Sequence, residues 1–377
     1  MYKSITMGKR VSFCILPNRR SRIYHPSEVV SGECVVELKE TLKFRSVRIE
    51  FLGEARTNWD EMENYTTTHK DEEIYFHKKT SLLASGHQKK GTYSVLSAGR
   101  HALEFSFKIP PFSLPSSFES KHGYVRYFLR ARIDRPWRFD EITKETIHII
   151  DLIDVNCPRM LMPVFGEAQK SLNCLRNGTA APLQVLVRTD RNAYCPGEKI
   201  IITTEIKNLP LTEKYQTIIT LIQTVTYKSQ YRYRSECTRL KLLQRSALSR
   251  KVDELEVPDV VPSMRNCGIV SISYQLKVIV TRVQCHDAGL DLEADLPITI
   301  GTIPLRKCYG MINKFIPFND LNEGNLFNNK TFVTIKHTVV DDLHHHDDDD
   351  DDGDDDDDDD DVVDDMTMMI TINDDND

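Results

Sequence analysis

The stretch SRIYHPSEVVSGECVVEL, residues 21–38, returns half a chain later as RNAYCPGEKIIITTEI, residues 191–206. Each carries Tyr-x-Pro-x-Glu and then runs into an alternating, strand-like pattern. Proline fixes the backbone in a turn, and the residues after the glutamate begin the alternation. At an offset of 170, Tyr24 falls on Tyr194, Pro26 on Pro196 and Glu28 on Glu198. The same offset carries on without a gap, so that Ile49 meets Ile219, Phe51 meets Leu221 and Ala55 meets Val225. A slip of one residue turns every side chain of a strand to the wrong face, so phase held this long marks a duplicated module. Later, YFLRARI from Tyr127 parallels YQLKVIV from Tyr274 at an offset of 147, which places a loss of about 23 residues in the second copy.

Most of the chain reads at period two. In YVRYFLRARI, Val125, Tyr127, Leu129, Ala131 and Ile133 share one face, and Arg126, Phe128, Arg130 and Arg132 share the other. Turn residues separate such runs, and no long segment has the helical period. The expectation is an all-β chain of two tandem antiparallel β-sandwiches of immunoglobulin type, each sheet with one packed and one wet face. The expected boundaries are 8–165 and 180–308, joined by an irregular linker (FGEAQKSLNCLRNGTAAP), with 309–377 as a disordered tail. A chain of 377 residues, 40% apolar, has the length and the apolar content for two cores.

Charge is distributed unevenly. The net charge is −8, yet 21 aspartates and no Lys or Arg lie between Asp341 and Asp377. Without those aspartates, residues 1–340 carry +13. A basic body suits phosphorylated peptides or anionic lipid head groups. The run from His344 to Asp361 has carboxylates and imidazoles that attract cations, but its like charges repel and give no fixed site. An alternative for it is weak cation buffering, and another is shielding of the basic body. The nine cysteines include no Cys-x-x-Cys pair and are odd in number, which fits free thiols rather than a disulfide framework or a zinc cluster. With no apolar leader in MYKSITMGKRVSF and no long apolar run, the expected location is cytoplasmic.

The stretches YHPSEVVSGECVVEL, VRIEFLGEARTNWDE, PSSFESKHGYVRYFLRARIDRPW, IDLIDVNCPRMLMPV, AYCPGEKIIITTEIKN and LPITIGTIPL, in that order, resemble the α-arrestin (arrestin domain-containing) family. The resemblance covers roughly residues 8 to 305. It implies a non-enzymatic adaptor that binds cytoplasmic tails or loops of membrane proteins and directs their endocytosis, endosomal sorting or ubiquitination, at the plasma membrane or endosomes. An arrestin-fold coat subunit of the retromer kind is the alternative within the fold. Many members recruit a ubiquitin ligase through Pro-Pro-x-Tyr. Here the only Pro-Pro pair, Pro110-Pro111, is followed by Phe112-Ser113, so any ligase is reached indirectly.

No G-x-S-x-G, H-E-x-x-H, Walker or G-x-G-x-x-G motif occurs, and neither a catalytic site nor a cofactor or metal site is expected. The candidate contacts for an anionic partner, peptide or lipid, are Arg126, Arg130 and Arg132 on one strand face. Lys9 and Arg10 join them by the resemblance, at the position where arrestins carry phosphate-meeting basic residues. Arg19, Arg20 and Arg22 form a basic loop, and Lys228, Arg232 and Arg234 a second alternating basic face. A solvated strand face accounts for most such patterns. Tyr231 and Tyr233 interleave with the latter, but no RNA-binding signature accompanies them, so no nucleic-acid partner is expected.

Overall fold

The computed structural model describes residues 11–62, 66–84, 93–170, 182–209, 214–230, 232–283 and 292–306. Lys9, Arg10, Tyr231 and the aspartate-rich tail lie outside the described residues. Among the described residues there are strands and turns and no helix, so none of them forms a helix long and apolar enough to cross a membrane.

The first sandwich is built from β1 (Val11–Pro17), β2 (Ile23–Tyr24), β3 (Val29–Leu38), β4 (Leu42–Phe44), β5 (Ser46–Met62), β6 (Thr66–Ala84), β7 (Ser94–Leu96), β8 (Gly99–Lys108), β9 (Phe118–Glu119), β10 (Gly123–Asp134) and β11 (Glu141–Ile149). The second is built from β12 (Phe165–Lys170), β13 (Leu183–Thr189), β14 (Ala193–Tyr194), β15 (Lys199–Lys207), β16 (Tyr215–Ser229), β17 (Arg232–Ser246), β18 (Arg250–Glu256), β19 (Val270–Arg282) and β20 (Leu292–Ile300). One sheet of the first runs β1-β3-β8 and the other β2-β11-β10-β5-β6. The second repeats both with one added edge strand, β12, as β12-β13-β15-β18 and β14-β20-β19-β16-β17.

The duplication read from the sequence is reproduced in the ladders. Phe51 lies opposite Leu129 and Leu221 opposite Leu276. Ala55 lies opposite Val125 and Val225 opposite Ile272. The offsets of 170 and 147 therefore connect equivalent ladder pairs. Inward residues of β10 (Val125, Tyr127, Leu129, Ala131 and Ile133) are wholly buried, as the period-two reading requires. The Tyr127 hydroxyl donates to the Pro115 carbonyl at 2.7 Å, and that of Tyr274 to the Val261 carbonyl. Both tyrosines tie a central strand to the backbone about a dozen residues upstream.

The two Tyr-x-Pro-x-Glu turns are built alike. Ser27 and Gly197, equivalent at the offset of 170, both have left-handed backbone (φ 73° and 81°). Glu28 accepts the His25 N–H at 2.7 Å, and Glu198 accepts the Cys195 N–H at 2.8 Å. An arginine bonds each glutamate and lies over the preceding tyrosine ring: Arg19 at 4.4 Å from the Tyr24 centroid and Arg191 at 4.3 Å from that of Tyr194. These turns are structural clamps on buried tyrosines.

One expectation needs correction. Phe165–Lys170, read as irregular linker, is the edge strand β12, paired antiparallel with β13. Its side chains are exposed or half-buried, so an edge position supplies none of the apolar alternation by which strands are recognised.

Candidate functional site

The seam between the sandwiches sets which surfaces face outward. Thr57 donates to the Lys228 carbonyl and Ser229 to the Lys70 carbonyl, both at 2.8 Å. Glu73 accepts the Gly268 N–H at 2.7 Å, and the Tyr227 hydroxyl donates to Ser120 at 2.9 Å. His122 meets Glu236 at 3.1 Å. Farther along, Asn266 donates to Ser113 and Asp151, and the Ile153 N–H to Thr302. Thr57 and Ser229 are buried. Hydrogen bonds aimed at backbone groups define an orientation more narrowly than apolar contact does, because they have angular requirements. The seam therefore holds the two modules as one body.

The predicted residues of β10 lie on the wet face of its sheet, as expected, and each has a carboxylate partner. Arg126 donates twice to Glu119, at 2.6 and 2.8 Å, and stacks 3.8 Å over the Tyr124 ring. Arg130 donates twice to Glu50, its direct cross-strand neighbour, at 3.1 and 2.5 Å. Partial burial acts to raise the Glu50 carboxyl, but hydrogen bonds from Arg130 and His77, with Lys79 nearby, outweigh it and hold the group down at about 2. Arg132 approaches Asp140 at 3.4 Å. This middle stretch is a ladder of ion pairs, in which an incoming anion has to displace an internal carboxylate.

The other basic stretches divide in the same way. Arg19 is committed to its clamp, and Arg22 pairs with Glu145 at 2.5 Å. Lys228 lies 6.0 Å over the Tyr233 ring, and Arg234 is 3.9 Å from Glu236. Along β17, an edge strand, Arg232, Arg239 and Lys241 are exposed.

A second basic surface was missed. At the end of the first sandwich Arg45, Arg48, Arg132, Arg135, Arg138, Trp137, Phe139, Asp134 and Asp140 line an open groove of about 860 Å³. Its aromatic residues are almost fully in solvent, Trp137 at 83% and Phe139 at 95%. The signal was in RPWRFD, where two large aromatics stand in a turn with no strand phase to bury them. Arg48 of β5 and Arg45, just before that strand, join them only because Asp134 pairs with Ser46 across the ladder, which local sequence does not announce.

The thiols at 34 and 195 are buried, and burial pushes each up to about 12, which keeps them protonated and inert. No cluster of three or more His, Cys, Asp or Glu side chains suited to a metal occurs among the described residues.

Comparison with known proteins bears on both halves. The arrestin (or S-antigen) N-terminal domain model matches residues 13–156, and the arrestin (or S-antigen) C-terminal domain model matches residues 179–305. Arrestin domain-containing protein 17 of Caenorhabditis elegans is 28% identical over 316 residues, which cover 78% of this chain and 70% of the relative. Arrestin domain-containing protein 4 of Mus musculus is 28% identical over 295 residues, covering 74% and 69%. The thioredoxin-interacting protein of Homo sapiens is 26% identical over 306 residues, covering 79% and 76%.

Proposed function

Because the chain belongs to the arrestin family, in its arrestin domain-containing branch, we propose that it is a non-enzymatic adaptor for cytoplasmic segments of membrane proteins. It directs them into endocytosis, endosomal sorting or ubiquitination. The observation that carries this reading is the pairing of two arrestin domains into one body by the seam at Thr57, Ser229 and Glu73. A rigid pair of sandwiches presents long sheet edges and basic faces in a fixed relation, which is what a recognition scaffold needs and what a catalytic pocket does not require.

Recognition then works through general chemistry. An extended peptide adds to a sheet edge by main-chain hydrogen bonds, and alternate side chains supply the specificity. The edge strand β17 offers exposed Arg232, Arg239 and Lys241 along its length, which suits an acidic or phosphorylated segment. Any ligase is reached through a partner, or the chain acts without one, since this sequence carries no Pro-Pro-x-Tyr.

The test is an array of cytoplasmic segments of membrane proteins, phosphorylated and unphosphorylated, probed with the purified chain. A subset is expected to bind, and N-methylation of alternate amides in those peptides abolishes binding, because strand addition needs the N–H groups. Uniform failure to bind across the array overturns the reading.

A further inference from the structure

We propose that the groove between Arg45, Arg48 and the Arg135–Asp140 turn is a contact site for an anionic lipid bilayer, with Trp137 and Phe139 entering the head-group region. The inference rests on the adaptor reading in one respect, that the partners of this chain lie at a membrane.

Four features of this pole point to a bilayer. First, charge is left over. Five arginines line the groove against two aspartates. Arg132 meets Asp140, and Arg135 is bound to Glu141 at 2.8 Å. Arg45 and Arg48 share the single carboxylate of Asp134, at 3.2 and 3.9 Å. Arg138 has no ion pair among the described residues. Second, Arg48 and Arg132 lie directly opposite each other in the ladder. Like charges at that position oppose folding, and an anionic surface relieves them. Third, the aromatic pair is presented rather than left loose. Arg135 donates to the Phe139 carbonyl at 3.1 Å, and Pro136 between these residues is buried. Trp137 has φ of 55°, a left-handed backbone that is costly for a bulky residue. Its ring meets Tyr93 at 6.1 Å, and Lys43 lies 4.8 Å over Tyr93, extending the basic-aromatic rim. Fourth, the pole stands clear of the second sandwich. Gly123, at the other end of β10, is the residue that faces Tyr227 across the seam, about 35 Å away along the strand. Exposed Trp and Phe set among cations are the side chains that settle at the boundary between head groups and acyl chains. A peptide ligand needs no such pair of outward, solvent-exposed aromatics.

The chain holds two tryptophans, and Trp59 is buried at 5% exposure. Full-length Trp59→Phe therefore leaves Trp137 as a single reporter. It is mixed with vesicles of phosphatidylcholine, with or without phosphatidylserine as a third of the lipid, and followed by co-sedimentation and fluorescence. The expected result is co-sedimentation with the anionic vesicles alone, weakened by salt, with a blue shift of Trp137 emission. Trp137→Asn with Phe139→Ser, in the otherwise natural chain, lowers partition about tenfold or more while the thermal midpoint holds, since asparagine tolerates the left-handed backbone. Three results overturn the proposal: no anionic-vesicle binding, binding with unmoved Trp137 emission, or full binding by the double variant. Emission already blue-shifted in buffer and unmoved by vesicles also overturns it, because the pole is then covered by the chain itself. Peptide binding on the array with failure here removes the lipid site and leaves the adaptor, whereas vesicle binding with a silent array does the reverse.

Discussion

Glu28 and Glu198 occupy the same place in the two sandwiches but not the same environment. The Arg19–Glu28 pair is open to solvent, with side chains 42% and 33% exposed, whereas Arg191–Glu198 is enclosed, at 9% and 18%. Removing one partner of an exposed pair costs little, while removing Glu198 leaves the buried Arg191 guanidinium only the longer approach to Asp190, at 3.6 Å, and costs far more. Glu28→Ala is expected to destabilise the chain by about 1 kcal/mol, and Glu198→Ala by about 3 kcal/mol, measured by denaturant unfolding. Equal losses contradict the assignment. Glu50 gives a pH signature. Its carboxyl sits at about 2 in the folded chain, against 4.5 for the free group. Between these values the unfolded chain binds the extra proton, so stability is present above pH 4.5 and falls as pH drops towards 2. Glu50→Gln removes that part of the slope in an acid titration of unfolding. A slope unchanged by the substitution shows that Arg130 does not hold the carboxylate in solution.

Among the strands, Gly53 stands at one of the two places where the long ladder of β5 and β6 shifts register. The register with β6 shifts between Gly53 and Glu54, and an added Cβ there meets the Tyr127 ring at 2.6 Å and the Phe76 ring at 2.9 Å. Gly53→Ala is expected to cost about 1–3 kcal/mol through displacement of those rings, seen as a lower midpoint together with a changed near-ultraviolet signal from the aromatic core. An unchanged midpoint means that the rings have room to move. Strand phase was the most legible part of this fold, because inward residues such as Phe51 and Leu129 must keep their face or lose the core. The Tyr-x-Pro-x-Glu turns were legible for the same reason, as fixed starting points of that phase. Their arginines were not: Arg19 and Arg191 stand at an offset of 172, not 170, and reach the same position from shifted places in the chain. Arg126, Arg130 and Arg132 were correctly placed on one face, but their carboxylates come from β9, β5 and the loop before β11, which only pairing brings near. β12 was hidden because an edge strand with little to bury carries little pattern. The pole groove was hidden because it assembles from two segments some ninety residues apart in sequence.

At the scale of the whole molecule, the claim is that two arrestin domains act as one recognition body. The seam makes this testable by calorimetry. The chain is expected to unfold its two sandwiches in one transition, and Thr57→Val with Ser229→Ala to separate them. That pair of substitutions leaves the carbonyls of Lys228 and Lys70 without their donors, at about 1–3 kcal/mol each. Two transitions in the unmodified chain contradict a seam of that strength. The +13 carried by residues 1–340 gives this body a field that attracts anions. The most direct test of the adaptor claim is proximity labelling in living cells with the full-length chain as the labelling centre. The account predicts enrichment of membrane transporters or receptors together with endosomal proteins. A set made up only of nuclear or metabolic proteins contradicts it.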